Sequence, residues 1–142
     1  GAGPGYRGSM ASLSELRDGL QTRLATISGL HTHDVMPDTV IVPAAIVRPR
    51  TGEYRGSLAG QPSTAFEIII LVALARLSTA QDNLDPYLSV TGSSSIFAAI
   101  EGDRTLGSKA DDLLVSGWRN YGSVSIAGTE YLSAIVDVEV YH

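Results

Sequence analysis

The residues best suited to chemistry are two histidines, His31 and His33, in the stretch HTHD. Alternate residues of a β-strand share one face, so both imidazoles could reach one divalent metal ion, with Asp34 or Asp38 close by. Two imidazoles do not complete a metal site, and the third histidine, His142, is the last residue of the sequence. A small metal-dependent enzyme that uses His31 and His33 is therefore a distant alternative to two exposed polar residues on an edge strand.

Other patterns of catalytic residues are weak. Asp82 and Asp85 are three positions apart on a predicted helix and share a solvated face, while Asp111 and Asp112 precede a strand and can simply end a turn. The glycines of the first eight residues fit G-x-G-x-x-G, but no strand precedes them to form a dinucleotide site. No phosphate loop, nucleophile elbow or H-E-x-x-H motif occurs. We therefore expect a protein that is not an enzyme and that has no metal or other cofactor.

The overall charge of the chain argues against nucleic acid and anionic membranes as partners. The chain of 142 residues carries a formal net charge of -5, and Lys109 is its only lysine. Nonspecific binding to nucleic acid and attachment to an anionic membrane both need clustered Lys and Arg, so neither is expected. The absence of cysteine excludes disulfides and thiolate metal sites, which fits a reducing cytoplasm.

Three arginines, Arg48, Arg50 and Arg55, cluster in a Gly- and Pro-rich part of this acidic chain, with Glu53 and Tyr54 between them. Guanidinium groups pair with carboxylates in a bidentate way, which suits docking onto an acidic partner surface. A solvated loop explains the same residues equally well. These five residues form the candidate interface of the chain.

The first predicted element is a helix over residues 12–27. Ser12 and Glu15 have the spacing of a capping box, in which each side chain satisfies a backbone N–H at the start of a helix. Apolar side chains recur along this segment at helical spacing, and Gly29 supplies a stop. The apolar stripe predicts a helix that packs on a core.

Strands are predicted on both sides of a polar segment. Residues 30–35 and 39–47 have the pattern of short strands, although Pro43 cannot donate to a ladder and indicates an edge or a bulge. Residues 49–64 are rich in Gly, Pro, Ser and Thr and predict a long loop. Residues 65–76 are too few for a bilayer span, which takes about 20 residues, and their β-branched side chains predict a strand buried on both faces.

The second half of the chain predicts two helices and a hairpin. Ser78 or Thr79 caps a helix that runs to Leu88, and Pro86 kinks this helix or makes it restart at Asp85. The remaining predicted elements are a helix over 95–101, an extended segment from about residue 113, a turn at 127–128 and an alternating last strand.

Four segments form a familiar set: SLSELRDGLQTRLATISGL, TVIVPAAIV, STAQDNLDPYL and SSSIFAAIEGDRTLGSKADDLLVSGWRNYGSVSIAGTEYLSAIVDVEVYH. Together they resemble tail terminator (tail completion) proteins of long-tailed, siphovirus-type bacteriophages, especially those of actinobacterial phages and prophages. The resemblance covers nearly all of the chain from Met10 onward. The closing segment, with I-E-x-D-x-T-L-G, A-D-D and the terminal hairpin, contributes most to it.

The resemblance implies a structural virion protein with one domain over residues 10–142, and residues 1–9 are interpreted as a remnant of expression. The implied fold is an α/β domain of the α+β type: a mixed or mainly antiparallel sheet of about 4–5 strands, about 2–3 helices packed on it and a terminal β-hairpin. Proteins of this family form a ring, typically a hexamer, on the head-proximal end of the tail tube. The ring ends tube polymerisation and provides the joining surface to the head connector.

The partners implied by the resemblance are further copies of the chain, the tail tube protein and the head–tail connector protein. DNA would pass through the lumen of the ring without specific binding, and no membrane is involved. The implied location is the head–tail junction of the virion, after assembly in the host bacterial cytoplasm. A ring needs a heterologous contact, for which the segment 49–64 and the strand edges are the candidates.

Two further alternatives come from other classes of protein. A head-side connector or stopper protein of a phage neck would differ in which purified partner it binds. A ligand-binding module of the α+β type would need a pocket, which sequence alone does not reveal.

Overall fold

The computed structural model describes residues 12–33, 35–53 and 62–142 of the chain. Its elements are α1 (Leu13–Leu24), β1 (His31–His33), β2 (Ala44–Glu53), β3 (Ser63–Ala73), α2 (Leu77–Leu88), α3 (Ile96–Glu101), β4 (Asp112–Ile126) and β5 (Thr129–Tyr141). The strands form one sheet in the order β1-β2-β3-β5-β4, in which β1 and β2 are parallel and the other neighbours antiparallel. The predicted fold class is confirmed: a small α+β domain with a mixed sheet, three helices and a terminal hairpin.

Helix α1 begins as the sequence predicts. Ser12 Oγ accepts a hydrogen bond from the Glu15 N–H at 3.2 Å, and Glu15 Oε1 accepts one from the Ser12 N–H at 3.0 Å. Both halves of the capping box are therefore made. The apolar stripe of α1 is fully buried at Leu16, Leu20 and Leu24, so the helix is fixed by its packing on the sheet.

The central strand β3 is buried on both of its faces. Phe66, Ile68 and Ile70 belong to the core that lies under the three helices, whereas Ile69 and Leu71 belong to a second, smaller cluster on the opposite face. Full burial of one such side chain is worth about 1.5–3 kcal/mol relative to its exposed state. The apolar run that suggested a core strand is thus explained by two separate clusters. No helix in the described part of the chain is both long and apolar enough to cross a membrane.

Two boundaries in the first half of the sheet differ from the prediction. The strand expected over 39–47 starts only at Ala44, because Pro43 has no N–H to give to a ladder and the residues before it do not pair. The loop expected over 49–64 is shorter, because β2 continues to Glu53 and pairs there with Ser63, the first residue of β3. The residues of β2 from Arg48 to Glu53 are exposed, which explains their polar composition, whereas Ser63 and Thr64 at the start of β3 are buried.

The cap expected for α2 is wrong, and of the two outcomes expected at Pro86, a kink or a restart, the restart does not occur. The helix starts at Leu77 with Arg76 as its N-cap residue, and no side chain makes the capping bond that was assigned to Ser78 or Thr79. It then runs without a restart through Pro86 to Leu88. The packing of its buried residues against the sheet holds α2 together where local signals alone predict a break.

The terminal hairpin carries irregularities that the alternating pattern does not predict. Ala127 and Gly128 form its turn with φ of 52° and 83°, the positive values of a two-residue type I′ turn. Along β4, the register with β5 shifts between Val115 and Gly117 and again between Arg119 and Gly122. Each shift is a bulge, which bends a strand and changes the direction of the side chains near it.

Candidate interaction surface

The sequence-predicted arginines Arg48 and Arg50 lie on β2, on the sheet face that carries no helix. The side chain of Arg48 forms an ion pair with Glu67, and Arg50 Nε lies 3.8 Å from Asp137 Oδ1. Both guanidinium side chains remain about half exposed, at 55% and 46%. Of the other predicted interface residues, Glu53 ends β2 in an exposed position, whereas Tyr54 and Arg55 lie outside the described residues.

These arginines belong to an ion-pair network that crosses four strands. Glu67 on β3 is almost fully buried, and it is paired with Arg48 on one side and with Arg119 of β4 on the other. Arg119 also makes two bonds to Asp137 of β5, at 2.9 and 3.2 Å. The bonds to Asp137 and then to Glu67 raise the pKa of Arg119. The network therefore restrains Arg48 closely and Arg50 more weakly on a half-exposed surface.

The two histidines of the metal hypothesis lie on β1 as expected. His31 is exposed, and His33 is half-buried with its Nε2 atom making no hydrogen bond. Residues 12–33, 35–53 and 62–142 contain no group of three side chains that could hold a metal ion, and Asp34 lies outside them. His142 bonds to Thr64 at the opposite end of β3, so the structure does not bring the three histidines together.

The carboxylates considered for acid–base work are held in separate contacts. Asp85 on α2 accepts a hydrogen bond from the Tyr121 hydroxyl at 2.7 Å. Asp112 accepts two from Arg104, and these bonds lower the pKa of Asp112. Each group therefore has a partner of its own, and the two do not form an acid–base pair with each other.

The feature that sequence reasoning missed is an apolar cleft beside Trp118, the only tryptophan of the chain. The cleft has a volume of about 250 Å³, whereas an apolar cavity of about 150 Å³ already admits a benzene ring. Trp118 is 53% exposed and Val90 65% exposed. The cleft lies between α2, α3 and β4, and its lining side chains include Tyr87, Leu88, Val90, Phe97, Val115 and Trp118.

Trp118 lies in the irregular part of β4. Trp118 lies between the two register shifts, opposite Val136, and its ring centroid is 5.9 Å from that of Tyr121. The side chain of Trp118 is about half exposed at this irregular part of the edge strand. Aromatic side chains exposed beside an apolar patch are typical of protein interfaces.

The surface next to the cleft is acidic. Residues 77–103 contain four carboxylates and no Lys or Arg. Burial, the bond to Asp85 and the nearby charges of Asp85 and Asp82 raise the pKa of Tyr121 to about 12. The sequence shows that residues 77–103 contain no Lys or Arg. It does not show that this segment lies beside Trp118 in the folded domain.

The outer edge of β4 is a poor template for another strand. Glu101 Oε2 accepts the outward-pointing N–H of Val115 at 3.2 Å, so a side chain occupies a position that a neighbouring strand would need. The two bulges interrupt the remaining edge. Short edges, charges and bulges are the usual means by which proteins prevent strand addition.

The exposed edge of β2 is protected in a similar way. Beyond β1, it contains Pro49, which has no N–H, and a register shift between Pro49 and Thr51. The surfaces best suited to interaction are therefore side-chain surfaces: the basic one at Arg48 and Arg50, and the acidic, apolar one around Trp118. Comparison of the chain with known family models and with curated proteins finds no significant match, so no family is assigned on that basis.

Proposed function

We propose that the protein is a phage tail terminator, a structural virion protein that caps the head-proximal end of the tail tube and meets the head connector. The resemblance described above supports this function, and the small α+β fold with three helices and a terminal hairpin is of the implied type. The proposed partners are further copies of the chain in a ring, the tail tube protein and the head–tail connector protein. Its proposed site of action is the head–tail junction, after assembly in the bacterial cytoplasm.

The exposed Trp118 cleft is the observation that carries an assembly function. Trp118 and Val90 are both more than half exposed and both line the same apolar cleft, so an apolar patch and not a single side chain faces water there. Tryptophan side chains are among the residues that contribute most to protein–protein affinity when a partner covers them. An exposed apolar cleft with an acidic border therefore favours a protein that acts by binding other proteins.

Electron microscopy tests this function directly, with the purified protein examined alone and after mixing with tail tubes. We expect rings, or caps at one end of each tube, and tubes of constant length when the protein is present during their assembly. Trp118→Ala should abolish the caps. Leu114→Ala is the matched control, because Leu114 is also an exposed apolar residue of β4 but does not line the cleft.

Two results would argue against the proposal. A protein that neither forms rings nor binds tubes is not a tail terminator. A protein that binds the portal-side ring and ignores tail tubes is a head-side connector instead.

A further inference from the structure

Two surfaces of opposite charge lie on different parts of this domain. The basic surface comprises Arg48 and Arg50 on β2, held by Glu67 and Asp137. The acidic surface is borne by α2, where Asp82 and Asp85 are exposed beside the Trp118 cleft. Because β2 and β4 are separated in the sheet by β3 and β5, one molecule cannot bring the two surfaces together.

We propose that these surfaces bind each other between copies of this chain: the Arg48 and Arg50 surface of one subunit docks on the Asp82 and Asp85 surface of the next, beside Trp118. The inference rests on the proposed function and specifies the contact that builds the ring. Two different patches meet in such a contact, so in a pair one subunit keeps its acidic surface free for a neighbour and the other keeps its basic surface. Head-to-tail contacts of this kind close into a ring when the rotation between subunits allows it.

Charge complementarity selects a second copy of the chain as the occupant. Within the segment 77–103, Glu101 is paired with Arg104, whereas Asp82 and Asp85 are exposed carboxylates of α2, beside an apolar cleft that favours a partner with few negative charges. On the other surface, Arg48 and Arg50 are about half exposed and each is paired with a single carboxylate, so both keep guanidinium N–H groups that can bond to a further carboxylate. Guanidinium groups already held in position lose little side-chain entropy when they pair with a further carboxylate.

Each surface also has a feature that favours side-chain contact over strand addition. The edge of β4 is interrupted by bulges and by Glu101, and the edge of β2 by Pro49 and a bulge. Neither edge offers the uninterrupted row of N–H and C=O groups that sheet extension requires. The contact between subunits therefore depends on the charges and on Trp118, and substitution of single side chains can test it.

A charge exchange between Arg50 and Asp82 provides the test. Arg50→Glu alone and Asp82→Lys alone should each weaken assembly about tenfold, because each places two like charges in the contact. The double variant Arg50→Glu/Asp82→Lys should assemble to within about threefold of the original protein, since every contact regains an opposite pair. Arg76→Glu is the control, because Arg76 is an exposed arginine that belongs to neither surface. Assembly is measured by sedimentation and by counting rings or capped tube ends, with circular dichroism confirming that each variant folds.

The outcomes separate this contact from the function. If the original protein forms rings or caps and both single variants do so equally well, the contact is wrong and the function stands. If both single variants fail and the double variant does not recover, the surfaces bind a different partner, such as the tube protein, and the contact is again wrong. If the original protein forms neither rings nor caps, the proposed function fails and the contact fails with it.

Discussion

The guanidinium of Arg119 joins two strands that are not neighbours of each other, because its Nη2 atom lies 2.8 Å from Glu67 Oε1 on β3. Between them runs β5, whose Asp137 accepts two further bonds from the same side chain. Glu67 is almost fully buried, and a buried carboxylate needs compensation to remain ionised. Arg119 provides this compensation from β4, which β5 separates from β3.

Replacement of Arg119 by Met should therefore destabilise the protein by about 1–2 kcal/mol, since bonds to charged groups are lost while Glu67 keeps only Arg48. Arg48→Met is the matched control. Its side chain is more exposed and contacts one carboxylate, so we expect a loss below about 1 kcal/mol. Urea unfolding of the two variants measures the difference, and a larger effect at Arg48 would contradict this view of the network.

The close approach of α1 to the loop before β4 gives a second prediction. A Cβ atom added at Gly19 would lie 2.9 Å from the Cβ of Leu106, a distance that the packed core cannot accept unchanged. Alanine gains about 1 kcal/mol over glycine in a helix, but overpacking costs about 1–3 kcal/mol, so Gly19→Ala should be destabilising overall.

The Cβ atom of Leu106, with which the added methyl group would clash, can be removed by a second substitution. Leu106 has a φ of 50°, which glycine adopts without strain, so Leu106→Gly deletes the Cβ atom in question. In that background Gly19→Ala should become neutral or stabilising, as measured by thermal or urea unfolding of all four proteins in the cycle. Equal effects of Gly19→Ala in both backgrounds would show that the contact is not responsible.

Ionisation of Tyr121 gives a third prediction. Its hydroxyl donates to Asp85, and burial together with this bond and the nearby carboxylates raises the pKa of the phenol to about 12. The raised value means that the folded protein holds this proton more tightly than the unfolded chain, whose value is 10.0. The contribution to stability is complete below pH 10 and is lost as the pH rises towards 12.

Absorbance titration of the protein against Tyr121→Phe isolates this phenol from the other five tyrosines. Asp85→Asn should lower the pKa of Tyr121, because it removes both the charge and the carboxylate acceptor. A difference titration centred near pH 10 would show that Tyr121 and Asp85 are not in contact.

The hydrogen bond from the amide of Val115 to Glu101, at the outer edge of β4, gives a fourth prediction. Glu101→Ala should speed hydrogen exchange of this amide about fivefold to tenfold, because the N–H loses its acceptor. Glu101→Gln is the matched variant, since its amide oxygen can still accept. Equal protection in all three proteins would show that Glu101 does not occupy this edge.

The sequence predicted those parts of the fold that depend on local signals. The Ser12 capping box, the helix predicted over 95–101 and the turn at 127–128 all appear where the residues indicate them. The start of α2 was predicted wrongly and the restart considered at Pro86 does not occur, because packing against the sheet and not only the nearby residues decides where this helix begins and ends. The end of β2 was missed because a polar, exposed strand shares its composition with a loop, and the start of β3 because its buried residues Ser63 and Thr64 are of types common in loops.

The interaction surface could be predicted only in part. Arg48 and Arg50 were identified from their spacing, but their ion pairs with Glu67 and Asp137 join residues far apart in the sequence. The cleft at Trp118 depends on two bulges in β4, and bulges leave little trace in an alternating pattern. The lack of Lys and Arg over residues 77–103 can be read from the sequence. The position of this segment beside the cleft depends on how α2 packs, which the composition does not show.

The interruptions along β2 and β4 have a consequence for self-association of this domain. An unbroken strand edge can add molecules without limit, because each added molecule presents the same edge again. Pro49, Glu101 and the three bulges break the row of N–H and C=O groups on these two strands. Open-ended growth of fibres by addition to either strand is therefore disfavoured.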